Sequence, residues 1–512
     1  MRCTLAIKRP RAAVALANLL YGVGAKGRSL SRLSVALKEA FGLADTTWEQ
    51  GMQKRIKGLG SAGESLPALT QAGTVPVNDG AHLALTGAPT AIGRRGFLGM
   101  GAAAVAASMA GIPARAQLPA RGPMRATWVT SVLNLDWPSA ASSRMADPVA
   151  RVMVQQQELL TILDQAQALH LNTLVFQVKP CADALYRSRI LPWSPVLTGM
   201  LGKDPGFDPL AFLLRHAHAR GIEVHAWLNP YRVSTDISQA TLDMLSAVPG
   251  DSSPSVYAQH PEWVGVAADR LMLDPGIPAV RRWICAVVAE LIVHYDVDGV
   301  QFDDYFYSET AQSPLDDSQT YARHGVGFAD KGDWRRHSTY RLIRDVGRII
   351  RAIRPSMAFG VSPAGVWRNR QDDPQGSDTQ AGAPAFDVAY ADTRRWVREE
   401  LIDYIVPQVY WPFARQIARY DVIARWWADT VGSGRVQLYM GMALYKVGIP
   451  NALEPDWTVA GGVPEIARQL DLNAAFPQIR GCMLFRHGFV AQPQTAQVVD
   501  YLKLRWQGTS LR

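Results

Sequence analysis

The chain has only four cysteines in 512 residues: Cys3, Cys181, Cys285 and Cys482. Three follow the leader described below, an odd and widely spaced set that excludes a disulfide framework and fits no zinc-binding spacing. No His-Glu-x-x-His marks a metalloprotease and no Gly-x-Ser-x-Gly marks a serine hydrolase. No glycine-rich phosphate loop follows the first strand-like run, which argues against a doubly wound nucleotide-binding sheet. Positive charge is scarce where it would matter. Of 53 Lys+Arg and 45 Asp+Glu, 14 and 5 lie in residues 1–116, which leaves 39 and 40 in the rest. A body so balanced gives no electrostatic ground for binding nucleic acid.

The leader explains where the charge went. "GRRGFLGMGAAAVAASMAGIPARAQ", from Gly93 to Gln117, joins paired arginines to a weakly apolar Ala/Gly stretch and an Ala-Arg-Ala end. This is the form of a twin-arginine export signal, residues 93–116, with cleavage expected near Ala116 and delivery to the periplasm. The apolar stretch is too short and too rich in small residues to span a bilayer, so no stable membrane insertion is expected. Residues 1–92 are an unassigned basic leader, either a very long extension of the signal or the product of a start placed too far upstream.

Eight strand-like runs follow: "RATWVTSV", "NTLVFQV", "IEVHAWLN", "DGVQFDD", "MAFGVSP", "DYIVPQVY", "RVQLYMG" and "GCMLFRH". Helical periodicity separates several of them, as at Val152 to Leu169, Pro209 to Arg220, Ile277 to His294, Trp334 to Ile353 and Pro464 to Leu472. Strands alternating with helices predict an α/β fold, a (β/α)8 TIM barrel over residues 123–490 with a helix or tail at 491–512. The longest insertions, Asn229 to Ile277, Ser308 to Asp333 and Trp367 to Ala391, follow strands and read as loops.

Alternation along each strand separates an apolar face, for the helices, from a polar face that must look inward. Leu174, Phe176 and Val178 go outward; Val175, Gln177 and Lys179 go inward. The same division turns His225, Trp227, Asn229, Gln301, Asp303, Ser362, Gln408 and Tyr410 inward. A purely structural barrel would fill its mouth with Val, Ile and Leu, so polar residues at the ends of several strands point to a ligand site.

A carboxylate at a strand end beside a second acid, among aromatics, is the equipment for cleaving glycosidic bonds. Asp303 is the inward acid and the candidate nucleophile or charge stabiliser. Asp304, Glu309, Asp183 and Asp392 are all near strand ends or in loops as its partner. An N-acetyl group of the substrate acting as nucleophile, with the acids orienting it and supplying a proton, is a further possibility. Trp193, Tyr231, Tyr305, Tyr307, Trp367, Tyr410 and Trp411 lie at or after strand ends, where rings stack on pyranose faces, although some must belong to the core. No cofactor or metal is expected; His225 with Asp303 is the pair weighed for a cation.

Several blocks, among them "FQVKPCADALYRSRILPWSPVLTG", "HAWLNPYRV", "DGVQFDDYFY" and "YADTRRWVREELIDYIVPQVYW", resemble the glycosyl hydrolase-like family ten. The resemblance implicates Lys179, Asp183, Tyr186, His225, Asn229, Arg232, Asp303, Asp304, Tyr305, Asp392, Gln408 and Tyr410. It implies a glycoside hydrolase of cell-wall glycan, namely peptidoglycan strands stripped of stem peptides, and a link to cell-division proteins. Asp298-Gly299 to Asp303 keeps the spacing whose last Asp is the nucleophile in related barrel glycosidases. The alternatives are a glycan-binding barrel with little or no turnover and a hydrolase of another exopolysaccharide.

Overall fold

The structure is a computed structural model that describes residues 122–247, 252–304, 306–307 and 313–508. The expected leader and export signal, residues 1–116, lie outside these residues. Eight parallel strands close into a barrel. They are β1 (Met124–Val129), β2 (Thr173–Lys179), β3 (Glu223–Leu228), β4 (Gly299–Phe302), β5 (Ala358–Val361), β6 (Tyr404–Ile405), β7 (Gln437–Met442) and β8 (Ile479–Leu484). A helix follows each strand in turn: α1 (Pro148–Ala168), α2 (Pro209–His218), α3 (Pro278–His294), α4 (Lys331–Ile353), α5 (Thr393–Arg398), α6 (Tyr420–Val431), α7 (Val463–Ala475) and α8 (Ala496–Trp506). The strands follow one another around the ring in chain order, and β8 closes on β1. The expected (β/α)8 barrel is the fold.

Local chemistry starts the helices where the periodicity places them. Pro148 and Pro209 occupy the first helical positions of α1 and α2, and the side chains of Asp147 and Asp208 accept backbone N–H bonds from Val149 and Ala211. Each cap satisfies a donor that the helix itself cannot, worth about 1 kcal/mol.

The two faces of the strands form two separate apolar clusters. Leu174, Phe176, Val178, Val224, Ala226, Leu228, Val300 and Phe302 pack in the layer between barrel and helices. Ala126, Trp128, Val175, Trp227, Tyr404, Tyr439 and Met483 fill the barrel interior. The interior also holds a polar chain. His225 Nδ1 lies 2.8 Å from the Tyr404 hydroxyl, which donates to Gln301 Oε1 at 3.2 Å, while Gln301 Nε2 donates to Ser362 Oγ at 3.0 Å. Glycines on neighbouring strands make room for the two rings. A Cβ on Gly299 would stand 2.8 Å from the His225 imidazole, and one on Gly360 would stand 2.0 Å from the Tyr404 ring.

The insertion after β3 departs from the loop expectation. It carries a helix at Gln239–Ser246, a helical turn at Val256–Gln259 and an antiparallel hairpin of Val264–Ala267 with Arg270–Leu273. The hairpin turns on Ala268 and Asp269, both at positive φ (48° and 53°), as a two-residue turn requires. Four-residue strands show too little alternation to register in the sequence. Among the described residues no helix is long and apolar enough to cross a membrane.

Candidate active site

Asp303 follows the last residue of β4 at the carboxyl end of the barrel and is buried. Its Oδ2 accepts a 3.1 Å bond from Trp227 Nε1 and a second bond from Asn229 Nδ2. Trp227 and Asn229 both come from β3 and its end, so the neighbouring strand sets the direction of the acid. Asn229 is itself held: its Oδ1 accepts from Gln177 Nε2 at 2.6 Å.

Asp304 is different in kind. It is half-buried, takes a side-chain hydrogen bond from Gln408 and feels the positive charge of Arg232. Loss of water nonetheless wins, and its carboxyl is pushed up to about 6. The adjacent acids are thus set apart by their surroundings: Asp303 is clamped by fixed donors, and Asp304 holds its proton well above the usual carboxylate range.

Lys179 corrects the inward assignment. The alternation breaks in a bulge between Gln177 and Lys179, so Gln177 pairs with Trp227 but Lys179 pairs with outward-facing Leu228. The Lys179 ammonium donates to the carbonyl oxygens of Asn229 and Pro230, at 2.8 and 3.4 Å, and burial pushes it down to about 8. It fastens the strand end that carries Asn229.

Asp183 and Arg232 lie beside it. Asp183 is buried, accepts from Ser194 Oγ at 2.8 Å and from the Cys181 N–H, and is raised by desolvation against the nearby Lys179 and Arg232. Arg232 is buried and donates from Nε to the Pro180 carbonyl at 2.7 Å. His225 is elsewhere. It is level with Gly299, four residues before Asp303, or about 13 Å along the strand at the usual rise. It belongs to the interior filling, and the pair weighed for a cation is not brought together.

Several of the aromatics are buried. Tyr186 is buried edge-on against Tyr295 in the layer around the barrel, and Tyr307 is buried against Tyr390 and the Arg335 guanidinium. Trp367 is buried between Trp426 and Phe386, and its indole N–H bonds Asp392 at 3.1 Å. Asp392 also caps α5 by accepting the Arg395 N–H, so its contacts are with a helix end and Trp367 rather than with Asp303 or Asp304. Trp411 is half-buried beside Gly365. Tyr305 and Glu309 fall outside the described residues.

The opposite side of the mouth carries Tyr410, expected from the sequence, and two rings that the sequence does not single out, Tyr445 and Phe485. Tyr410, half-buried past β6, stacks on Phe485 at 5.5 Å, and Tyr445 stands edge-on to both at 5.7 and 5.8 Å. Phe485 follows the last residue of β8, diametrically across the ring from β4, and rests on the interior cluster through Trp128 at 5.9 Å. The phenylalanine near the end of "GCMLFRH", just past the strand, is the signal that the sequence offers for Phe485. The loop after β1 is tied to this side by an Arg486–Asp136 ion pair.

Two acids after β4 and stacking rings after β6 and β8 are the groups needed to hold a sugar and protonate its glycosidic oxygen. Comparison with known proteins agrees in kind. Residues 123–459 match the family described as "Glycosyl hydrolase-like 10". The chain is 54% identical over 384 residues to glycosyl hydrolase DigH of Escherichia coli (strain K12), covering 75% of this chain and 87% of that protein. It is 41% identical over 364 residues to glycosyl hydrolase YngK of Bacillus subtilis (strain 168), covering 71% and 68%. Among solved structures, the PgaB (BpsB) glycoside hydrolase domain of Bordetella bronchiseptica aligns with TM-score 0.42 and 15% identity over 74% of this chain and 99% of that one.

Proposed function

The chain belongs to the glycosyl hydrolase-like 10 family and is a glycoside hydrolase, and from that premise we propose that it works in the periplasm on peptidoglycan glycan strands lacking stem peptides. The observation that carries the chemistry is the division of labour between Asp303 and Asp304. Asp304, protonated below about pH 6, donates to the leaving glycosidic oxygen as the C–O bond breaks. Asp303, held by Trp227 and Asn229, presents its carboxylate to the positive charge that develops at the anomeric carbon, as nucleophile or as stabiliser. Water then supplies the hydroxyl that replaces the leaving sugar, and Asp304 regains its proton.

The adjacency of the two acids favours a second form of the same reaction. Both acids follow the end of β4, where the strand gives way to a bend and strict alternation no longer holds, which suits an N-acetyl group acting as internal nucleophile with Asp303 orienting it. Cell-wall glycan carries such groups. Support for the substrate and the compartment comes from the family blocks and from the twin-arginine signal at Gly93 to Gln117, which directs a folded protein to the wall. Cell-division proteins are the partners this reading implies.

The test is digestion. Amidase-treated peptidoglycan incubated with the mature protein should release soluble glycan fragments readable by mass spectrometry. Intact amidase-treated wall alongside degradation of a secreted exopolysaccharide would sink the substrate reading. Replacing Arg94 and Arg95 by Lys should hold the full-length precursor in the cytoplasm, and undiminished export would sink the route.

A further inference from the structure

We infer that Gln177 is a positioning residue for Asp303, acting through Asn229 as one end of a directional amide relay. The relay begins in the loop after β1. The backbone N–H groups of Ser131 and Val132 both donate to Gln177 Oε1, each at 2.9 Å, and the Ser131 hydroxyl donates to the Gln177 carbonyl at 2.8 Å. Two N–H donors on one atom fix that atom as oxygen, so the orientation of the Gln177 amide is settled by the backbone.

Its Nε2 must then face Asn229, where it donates to Oδ1 at 2.6 Å. That bond fixes the second amide in turn, and Asn229 has only its Nδ2 left to offer Asp303. All of Ser131, Gln177 and Asn229 are fully buried, so water cannot replace a lost link. The Lys179 ammonium, on the Asn229 carbonyl, holds the same residue from its backbone side.

The loop that starts the relay is itself held in an uncommon conformation. Leu133 and Asn134 both lie in the left-handed region, at φ 55° and 54°, and the Asn134 side chain donates to the Pro138 and Val196 carbonyls at 2.9 Å each. An asparagine tolerates that conformation, but a leucine takes it only when its surroundings impose it. Here it accompanies two adjacent N–H groups aimed into the barrel. The effect is transmitted as polarity: each amide can point one way only, and the last one delivers a donor to the acid.

Gln177→Glu keeps the shape and reverses the polarity. One oxygen of the introduced carboxylate still accepts from Ser131 and Val132, but the other atom can no longer donate. Asn229 must turn its amide, which puts an oxygen against Asp303. We expect kcat on amidase-treated peptidoglycan to fall at least tenfold with KM changed less than threefold. In an Asn229→Ala background, the same substitution should change kcat less than twofold, because the link is already cut. Penalties that multiply, or a Q177E kcat within twofold of the parent, would overturn the relay. If Q177E does not fold, Gln177→Met removes the donor without adding charge, and the same cycle decides.

A crystal structure of Q177E or Q177M gives a substrate-free answer. The relay predicts that the Asn229 amide turns or shifts so that its Nδ2 no longer lies within hydrogen-bond distance of Asp303, and an unchanged Nδ2 contact refutes it. Absence of wild-type turnover on this wall material would count against the substrate reading alone, and the crystal structure would then decide the relay.

Discussion

The two sides of the barrel mouth are built from opposite chemistry. The β2–β3–β4 side is amide and carboxylate: Gln177, Asn229 and Asp303 are buried and bonded in series, with Lys179 behind them. The β6–β7–β8 side is aromatic: Tyr410, Tyr445 and Phe485 touch one another and stay half-exposed. The polar wall has geometry to conserve and is locked. The aromatic wall has area to offer and is open. A sugar has both an apolar ring face and polar edges, so one wall can hold it while the other acts on it.

Mutations should separate the walls by which kinetic constant they move. Asp303→Asn and Asp304→Asn should have the largest effect, lowering kcat by about 10² to 10⁴-fold with substrate still bound; a mild loss of kcat in either would break the division. The pH profile sharpens the assignment. Because desolvation raises Asp304 to about 6, its acid form dominates below that value, and kcat/KM should fall as pH rises through it. D304N should lose that limb, and a limb that survives in D304N belongs to another group.

On the aromatic wall, Phe485→Ala or Tyr410→Ala should raise KM by about tenfold, the equivalent of about 1.4 kcal/mol of lost stacking and burial, with kcat little changed. Equal damage to kcat would place these rings in the chemistry. Smallest is Asp392→Ala, read by thermal unfolding and turnover. It removes a helix cap and the Trp367 contact, so it should cost about 1 kcal/mol of stability and leave kcat within twofold.

The sequence made the barrel legible because a strand between two layers has to alternate. Val300 and Phe302 against Gln301 and Asp303 is enough to say which acid looks inward, and the structure keeps that division. Lys179 defeated the same rule, since a bulge adds a residue to one strand and leaves no mark in its composition. Tyr307 and Trp367, expected at the mouth from their place after a strand, are buried for another reason. An aromatic just after a strand can fold back over the helices or lean into the mouth, and only the packing of the loop decides. Asp392 shows the same ambiguity for acids, because the residue that starts a helix sits at the same end of the barrel as the residues that do chemistry.

The most direct measurement is a crystal structure of D304N holding an N-acetylated glycan fragment. The account predicts a pyranose with its apolar face on Phe485 and Tyr410 and its scissile oxygen within hydrogen-bond distance of the amide introduced at position 304, with Asp303 beneath the anomeric carbon or against the acetamido group. A glycan bound away from Asp303, or one that leaves the aromatic wall bare, would contradict it.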